Sequence, residues 1–264
     1  MDRKFSLAHL TVPKCPVPEM VYIAGEAGYD YISPRISDLI TQPELIAQTK
    51  KAMEDTGVGV HDIELNIDEE TTDIRVFEPA LEVGAKLGSK YVLSSLWADE
   101  TDDFALIERF GELCDLAADC NMGVRLEFVS WAKVRDLGQA QQAIRYVNRP
   151  NAGYIVDMFH AHNSRLHPED LQCVWEGCLD IVHLCDAPKE IPDVIEERIL
   201  LGCCAREYPG EGGIDIAAYM KYVPKDAVCC IEVPNFVKAA ELGYAEHARR
   251  GLTAAKKYLA EHNL

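Results

Sequence analysis

The sequence predicts one (β/α)8 barrel domain spanning residues 1–264, and three observations favour this fold class. Short apolar runs alternate with longer helix-like stretches in eight successive units, the alternation of a barrel of about 250 residues. Gly28, Gly57, Gly88 and Gly123 each lie just before a predicted strand, where glycine commonly ends a helix. No GxGxxG motif follows the first apolar run, which disfavours the alternative of a doubly wound open sheet.

Each unit pairs an apolar run of strand type with a helix of mixed polarity. The predicted strands are 5–12, 29–36, 58–67, 91–98, 124–131, 153–160, 180–187 and 227–233. The predicted helices are 18–28, 43–57, 73–88, 103–121, 137–148, 167–177, 214–223 and 243–263. A long connection, residues 188–213, separates the seventh strand from its helix. We find no linker, low-complexity segment or charge block that would divide the chain, so we expect a single domain.

Composition excludes several classes of partner. Hydrophobic residues make up 48% of the chain, which is enough for a substantial core. Acidic residues outnumber basic residues by 44 to 26 and give a net charge of −18, and such a surface repels the phosphates of nucleic acid. The first residues, MDRKFSLAHL, have no signal-peptide pattern. No stretch approaches about 18 consecutive apolar residues, so we expect no membrane span.

Cysteine usage favours a cytoplasmic protein. The ten cysteines include no CxxC pair, and we interpret them as free thiols in a reducing compartment. A structural zinc site is the minor alternative. The sequence leaves homo-oligomerisation open.

A polar residue lies near the end of each of the last four predicted strands. These residues are Glu127, Asp157, His183 and Glu232. The carboxyl ends of barrel strands meet at one face, and burying lone carboxylates there costs several kcal/mol unless they are paired or coordinated. Three oxygen ligands and one nitrogen suit one divalent cation, and Mn²⁺ is our first expectation, with Mg²⁺, Co²⁺ or Zn²⁺ also possible.

Each residue of this set also has an ordinary structural interpretation. Glu127 or Glu232 could pair with Arg125 in the core. Asp157 could cap the following helix, and His183 could be a core histidine. The ordinary interpretations would require four unrelated polar residues to occupy equivalent strand ends by coincidence, and the metal site is favoured for this reason.

Several segments resemble the sugar phosphate isomerase/epimerase superfamily, whose fold is the xylose isomerase-like TIM barrel. They are LEF, NAGYIVDMFH, VHLCDAP, REYPGEGGIDI and IEVP. The resemblance covers nearly the whole chain and includes proteins of the D-tagatose 3-epimerase and inosose isomerase type. It implies that Glu127, Asp157, His183 and Glu232 hold the metal and that the two glutamates exchange protons with the substrate. It also implies that His160 and Arg206 contact substrate oxygens.

The resemblance implies an isomerase or epimerase acting on a sugar, keto-sugar or inosose. A carboxylate would remove a proton next to a carbonyl, and the metal would stabilise the developing enediolate. A dehydratase of the inosose or 3-dehydroshikimate type is the main alternative, because it begins with the same proton abstraction. An endonuclease IV-like phosphodiesterase is disfavoured by the acidic charge and by the position of His61 at the start of its strand. A non-catalytic sugar-binding barrel is the remaining alternative.

Further candidates for substrate contacts lie near other strand ends. They are His9, Glu64, Trp97, Trp131 and Asp186. The indole of Trp97 or of Trp131 could pack on a sugar, or it could take part in side-chain packing at the edge of the barrel. Glu64 could reach the pocket or join a hydrogen-bond network inside the barrel.

The long connection contributes two further candidates. We expect it to fold over the pocket and bring Arg206 to a substrate oxygen, with an ion pair to Glu207 or Glu211 as the alternative. The PGEGG loop, residues 209–213, could bind phosphate, but we favour a turn before a helix capped by Asp215. Since we find no other cationic cluster, an unphosphorylated carbohydrate or polyol-derived substrate is expected.

Overall fold

Parallel strands form one sheet that curls into an almost closed barrel with helices on its outside. The computed structural model describes residues 3–98, 103–174 and 177–264. Its strands are β1 Phe5–Ala8, β2 Tyr31–Ser33, β3 Gly59–Val60, β4 Asp62–Glu64, β5 Tyr91–Ser94, β6 Gly123–Glu127, β7 Ala152–Asp157, β8 Leu179–Leu184 and β9 Val228–Ile231. The order in the sheet is β3-β2-β1-β9-β8-β7-β6-β5-β4. The predicted (β/α)8 fold is therefore confirmed.

The helices follow the strands in the order expected for this fold. They are α1 Val17–Ala27, α2 Ile36–Thr41, α3 Glu44–Thr56, α4 Glu78–Lys86, α5 Asp103–Asp119, α6 Leu137–Val147, α7 Met158–Asn163, α8 Ile195–Cys204, α9 Ile216–Met220, α10 Phe236–Leu242 and α11 Tyr244–Glu261. Short 3₁₀ turns occupy His9–Thr11, Ile74–Phe77 and Pro168–Cys173.

The third predicted strand, 58–67, closes the barrel in two pieces. β3 pairs with β2, whereas β4 pairs with β5. Between the two pieces, the His61 amide donates to the Ile32 carbonyl at 3.0 Å, and the Lys90 amide donates to the His61 carbonyl at 3.1 Å. One residue therefore bridges both neighbours, and the eight predicted strands appear as nine segments.

Two predicted elements differ from the structure near the sixth and seventh strands. The strand predicted at 153–160 ends at Asp157, because the Asp157 carboxylate accepts from the His160 amide and starts α7 at once. The helix predicted at 167–177 is a 3₁₀ turn, and its residues 175 and 176 lie outside the described ranges. The connection 188–213 contains α8, which the sequence interpretation missed.

Glycine ends helices at three of the four predicted positions. Gly28, Gly57 and Gly88 have φ of 91°, 75° and 76°. The prediction for Gly123 is wrong, because Gly123 begins β6 and Asn121 is the left-handed residue there, with φ of 58°. Asparagine tolerates this region better than most residues.

The barrel interior is filled below its carboxyl-terminal mouth. Ala8, Leu93, Ile155, Ile181 and Cys230 form a small apolar cluster inside the barrel. A much larger core lies between the strands and the surrounding helices. The interior cluster supplies a packed floor on which polar strand ends can be held, since barrel interiors are packed cores and not pores.

A partly buried ion pair lies near the strand starts of the barrel. The Arg125 guanidinium donates to the Asp180 carboxylate, with Nε 2.7 Å from Oδ2, and it lies 4.4 Å from the centre of the Tyr91 ring. Arg125 therefore has partners of its own, and the alternative pairing with Glu127 or Glu232 is not formed.

Among the helices of the described residues, none combines the length and the apolar composition that a membrane span requires.

We predict that Gly153→Ala destabilises the barrel by about 1–3 kcal/mol, the usual cost of overpacking. A Cβ at Gly153 would lie 2.6 Å from the Cys178 carbonyl oxygen and 2.9 Å from Arg125 Cδ, so backbone would have to move. Urea unfolding measures the effect. Gly111→Ala in α5 is the control, since its Cβ would meet only the Val147 side chain at 3.3 Å. Equal stability of both variants would contradict the prediction.

Candidate active site

Four side chains from successive strands converge at the mouth of the barrel. Glu127 ends β6, Asp157 ends β7, His183 lies one residue before the end of β8, and Glu232 directly follows β9. One ligand-type atom from each residue lies within 4.8 Å of the others. The residues that the sequence predicted as metal ligands are therefore together in space, because the parallel register aligns Asp157 with His183.

The imidazole of His183 lies at the centre of this set. Its Nδ1 is 3.2 Å from Glu232 Oε2, 3.4 Å from Glu127 Oε1 and 3.6 Å from Asp157 Oδ2. All four residues are buried, with exposed fractions from 0% for Asp157 to 8% for Glu127. Three carboxylates thus share a space from which water is largely excluded.

Burial and mutual charge shift the proton affinities of the set in different directions. Burial raises the pKa of Glu127 to about 7, although the neighbouring His183 opposes the rise. Burial acts in the same sense on Asp157, but the Arg206 guanidinium and the neighbouring imidazoles of His160 and His183 together outweigh it and hold the pKa of Asp157 well below its usual range. For His183, burial disfavours the charged ring, yet the carboxylates, Glu232 foremost, raise its pKa well above the ordinary value.

Arg206 reaches this cluster from the long connection after β8. Its Nη1 lies 2.5 Å from Asp157 Oδ2 and 3.0 Å from Glu232 Oε2, and its Nε donates to the Gly202 carbonyl at 2.7 Å. The alternative pairing with Glu207 or Glu211 is not formed, because both acids bind Lys238. The connection does cover the mouth, but it brings the guanidinium to two candidate ligands and buries it.

The donor set fits a divalent metal ion. Within the described residues, neither nitrogen of His183 has a hydrogen-bond partner, and buried Glu127 Oε1 lacks one too. Leaving a buried polar group unpaired costs about 1–3 kcal/mol. One ion bound by His183 Nδ1 and the three carboxylates would satisfy Nδ1 and Glu127 Oε1, and three oxygens with one nitrogen are hard-to-borderline donors. Glu127, Asp157, His183 and Glu232 would hold it.

His160 lies beside the cluster in a fixed protonation state. Its Nδ1 accepts from the Ser130 amide at 3.3 Å, which leaves the proton on Nε2. Burial lowers the pKa of His160 to about 4, so the ring is neutral. Its own amide donates to Asp157 Oδ1 at 3.0 Å. Asp157 therefore caps α7 with one oxygen, which confirms that interpretation, and its other oxygen faces His183, where the predicted metal site requires it.

Four further candidates lie around the mouth of the barrel: Trp97, Trp131, and the neighbouring His9 and Glu64. Trp131 packs edge-on against His160, with ring centres 4.7 Å apart. Trp97 Nε1 donates to Ser95 Oγ at 2.6 Å. His9 Nε2 is 3.6 Å from Glu64 Oε2, while Glu64 Oε1 accepts from Asn66 at 2.6 Å. Glu64 thus takes part in a rim network and also contacts His9.

Asp186, a candidate substrate contact, accepts hydrogen bonds from backbone amides. It is buried, and its carboxylate accepts from the amides of Ala187, Gly210 and Ile214, each at 2.9 Å. Within the PGEGG loop, the Gly210 amide donates to Asp186 and the Gly213 amide donates to the Ala187 carbonyl, and the loop is a turn before α9. Asp215 accepts from the Ala218 amide, as the favoured interpretation of this loop predicted.

Sequence reasoning missed Ser130 and Gly202. Ser130 fixes the tautomer of His160. Ser130 directly follows the apolar segment LEFV at the end of a predicted strand, and this position could have marked it as a site residue. Gly202 accepts from Arg206, and a Cβ there would lie 2.4 Å from Trp131. No sequence pattern marked that close approach, because it depends on where α8 lies.

The comparison with protein families identifies the fold family. The family described as xylose isomerase-like TIM barrel matches residues 21–257. The chain belongs to the xylose isomerase-like TIM barrel family, as its motifs predicted.

Curated relatives are distant and longer than this chain. Identity is 23% over 215 residues to a 3-dehydroshikimate dehydratase of Pseudomonas putida, covering 77% of this chain and 33% of that protein. It is 28% over 158 residues to an inosose isomerase of Bacillus licheniformis, covering 56% and 54%. The chain spans one third to about half the length of these relatives.

Solved structures share the architecture over almost the full length. The IolI protein, solved with a bound zinc atom, superposes with a TM-score of 0.83 at 20% identity and covers 98% of this chain and 99% of its own. A D-allulose 3-epimerase from Methylomonas sp., in complex with D-allulose, gives 0.75 at 17% identity, covering 98% of each chain. At these identities the likeness shows the fold, which by itself does not define an activity.

We predict that the purified protein binds one divalent metal ion per chain and that His183→Ala loses it. The reason is that His183 supplies the nitrogen donor at the centre of three carboxylates. Elemental analysis after purification without chelator measures the content. His162→Ala is the control, because His162 contacts the Lys189 carbonyl and lies outside the cluster. Equal metal content in wild type and His183→Ala would refute the site.

Proposed function

We propose that this chain is a metal-dependent isomerase or epimerase that acts on a keto-sugar or inosose. The observation that carries the proposal is the pair of buried carboxylates, Glu127 and Glu232, on either side of His183. Since β6 and β9 are separated by β7 and β8 in the sheet, the two glutamates approach the centre from different directions. Such a pair can act on two faces of one small substrate.

The proposed chemistry is a proton transfer at a carbon next to a carbonyl. A bound divalent ion would act there as a Lewis acid for the substrate oxygens. One glutamate takes the proton from carbon. The other, in its protonated form, donates its own proton to the opposite face of that carbon to give an epimer, and both glutamates then regain their starting protonation by exchange with solvent. Donation to the neighbouring carbon, with a proton shift between the two substrate oxygens, gives the aldose–ketose isomer. Either glutamate can be the base.

The remaining residues orient and neutralise the reacting groups. Neutral His160, with its proton on Nε2, is a hydrogen-bond donor for a substrate oxygen. Arg206 stabilises the ionised forms of Asp157 and Glu232 through its short contacts, and its second terminal nitrogen is a further candidate donor. Trp131, beside His160, and Trp97 are candidates for packing on the apolar face of a sugar, while His9 and Glu64 are candidate polar contacts.

The proposed metal is Mn²⁺, with Zn²⁺ as the leading competitor. Carboxylate-rich sites suit Mn²⁺ and Mg²⁺, whereas an imidazole donor also suits Zn²⁺. The zinc atom in the IolI structure supports the second possibility. Reconstituting metal-stripped protein with each ion and measuring turnover decides between them.

A dehydratase is the second candidate function. It is favoured by the match to 3-dehydroshikimate dehydratase, which covers 77% of this chain against 56% for the inosose isomerase. The two reactions share the first proton abstraction and separate only at the next step. A dehydratase expels a hydroxyl group, for which an acid must supply a proton.

We predict that Glu127→Gln and Glu232→Gln each lower turnover about 10²–10⁴-fold, the typical contribution of general acid–base catalysis. Glutamine keeps the shape of the side chain but cannot exchange the proton. Steady-state kinetics with metal content measured in parallel gives the result. Glu241→Gln on exposed α10 is the control. A variant with full metal content and wild-type turnover would remove that glutamate from the mechanism.

We predict that keto-sugars or inososes incubated with the enzyme in D₂O gain deuterium next to the carbonyl without loss of water. Proton abstraction by a carboxylate that equilibrates with solvent causes this exchange. Mass spectrometry and NMR of the products detect it. A dehydrated enone or dione product would establish the dehydratase instead. Metal-loaded protein that gives neither exchange nor product with any of these substrates would contradict both reactions.

A further inference from the structure

The segment that carries Glu232 leaves the sheet and is held by side chains. β9 ends at Ile231, and the Glu232 amide makes the last backbone bond to β8, donating to the Leu184 carbonyl at 3.2 Å. Thr11 spans this point: its Oγ1 donates to the Ile231 carbonyl and accepts from the Val233 amide, both at 2.9 Å. One buried hydroxyl therefore fixes the backbone on both sides of Glu232.

His247 from α11 holds the same segment from the outside. Its Nε2 is 3.0 Å from the Val233 carbonyl, and its Nδ1 is 2.5 Å from the Tyr208 hydroxyl. A carbonyl can only accept, so Nε2 carries the proton, and Nδ1 accepts from Tyr208. His247 is 0% exposed and Tyr208 is 3% exposed, which shields both hydrogen bonds from water.

The protonation states of the pair agree with these roles. Burial lowers the pKa of His247, which favours the neutral ring. Burial also raises the pKa of Tyr208 to about 12, so its hydroxyl remains a donor.

Tyr208 also belongs to the segment that carries Arg206. The Arg206 amide donates to the Pro234 carbonyl at 3.1 Å, and the Arg206 carbonyl accepts from Asn235 Nδ2 at 2.9 Å. The Arg206 segment and the Glu232 segment therefore run side by side. The Tyr208–His247 pair connects them a second time, outside the active site.

We propose that Tyr208 and His247 are positioning residues that set the distance between Arg206 and Glu232. The proposal rests on the proposed function, because that distance has consequences only if Glu232 binds the metal and transfers a proton. Arg206 Nη1 and Glu232 Oε2 are 3.0 Å apart, and a shift of either backbone segment changes this contact. Residues that support metal ligands in this way typically change metal affinity about 10–100-fold when altered.

Tyr208→Phe tests the proposal with little change in shape. It removes the donor to His247 and keeps the ring. The matched control is Tyr29→Phe, since Tyr29 donates to the Ala248 carbonyl at 2.8 Å. That bond is also buried and ends on the next residue of α11, and neither of its two partners belongs to the Arg206 or the Glu232 segment.

The first readout is amide hydrogen exchange of the metal-free proteins. Exchange at Arg206 and Val233 is expected to be about three- to tenfold faster in Tyr208→Phe than in Tyr29→Phe, the range for losing one hydrogen bond. Equal exchange at these amides in the two variants would overturn the proposal, whatever the enzyme does. This comparison needs neither metal nor substrate.

The second readout is the affinity for Mn²⁺ and Zn²⁺, measured by calorimetry on metal-stripped protein. Tyr208→Phe is expected to weaken binding about tenfold, with Tyr29→Phe close to wild type. His247→Gln keeps an N–H donor for the Val233 carbonyl and is expected to lose less affinity than His247→Phe, which has none. Unchanged affinity in Tyr208→Phe would refute positioning of the metal ligands. A wild-type protein that binds no metal would refute the proposed function, while the exchange result still decides whether Tyr208 and His247 position the two segments.

Discussion

The burial of three carboxylates around one imidazole constrains the rest of this structure. Each ionised carboxylate removed from water requires a partner, and like charges at this spacing raise one another's proton affinity. Arg206 and His183 supply positive charge to Asp157 and Glu232. Glu127 receives less compensation, and burial raises its pKa to about 7. The site therefore keeps carboxylate charge that the protein's own cations do not fully balance, which is the property expected of a metal centre.

The barrel makes this burial possible through its geometry. Parallel strands deliver their last inward-facing side chains to one place, and the apolar cluster of Ala8, Leu93, Ile155, Ile181 and Cys230 closes the space below them. Asp157 combines two tasks: one oxygen caps α7 and the other faces His183. A helix start and a candidate metal ligand thus share one carboxylate, which fixes its rotamer from both sides.

The connection after β8 completes the site. It contributes Arg206, the carbonyl of Gly202, and Tyr208, which contacts His247. Asp186 organises the loop through three backbone amides. The chemistry proposed for Glu127 and Glu232 thus involves a segment outside the named strands, held to the barrel by isolated backbone bridges and by side-chain hydrogen bonds.

The sequence by itself determined the fold class and the four residues that converge at the mouth. Apolar runs of strand length, alternating with helical stretches, allow few other arrangements. A polar residue near the end of a buried run is visible without coordinates. Local pattern also explains the helix ends at Gly28 and Gly57. It failed for Gly123, since the residue that needed the left-handed region was Asn121.

Only the tertiary structure decided the partners of these residues. Arg206 pairs with Asp157, 49 positions away in the chain, and not with the adjacent Glu207. Asp186 was a plausible substrate contact by position, but loop amides from Gly210 and Ile214 occupy it. The physical reason is that hydrogen bonds and ion pairs form between groups that folding brings close. The periodicity of residues along the chain does not predict those distances.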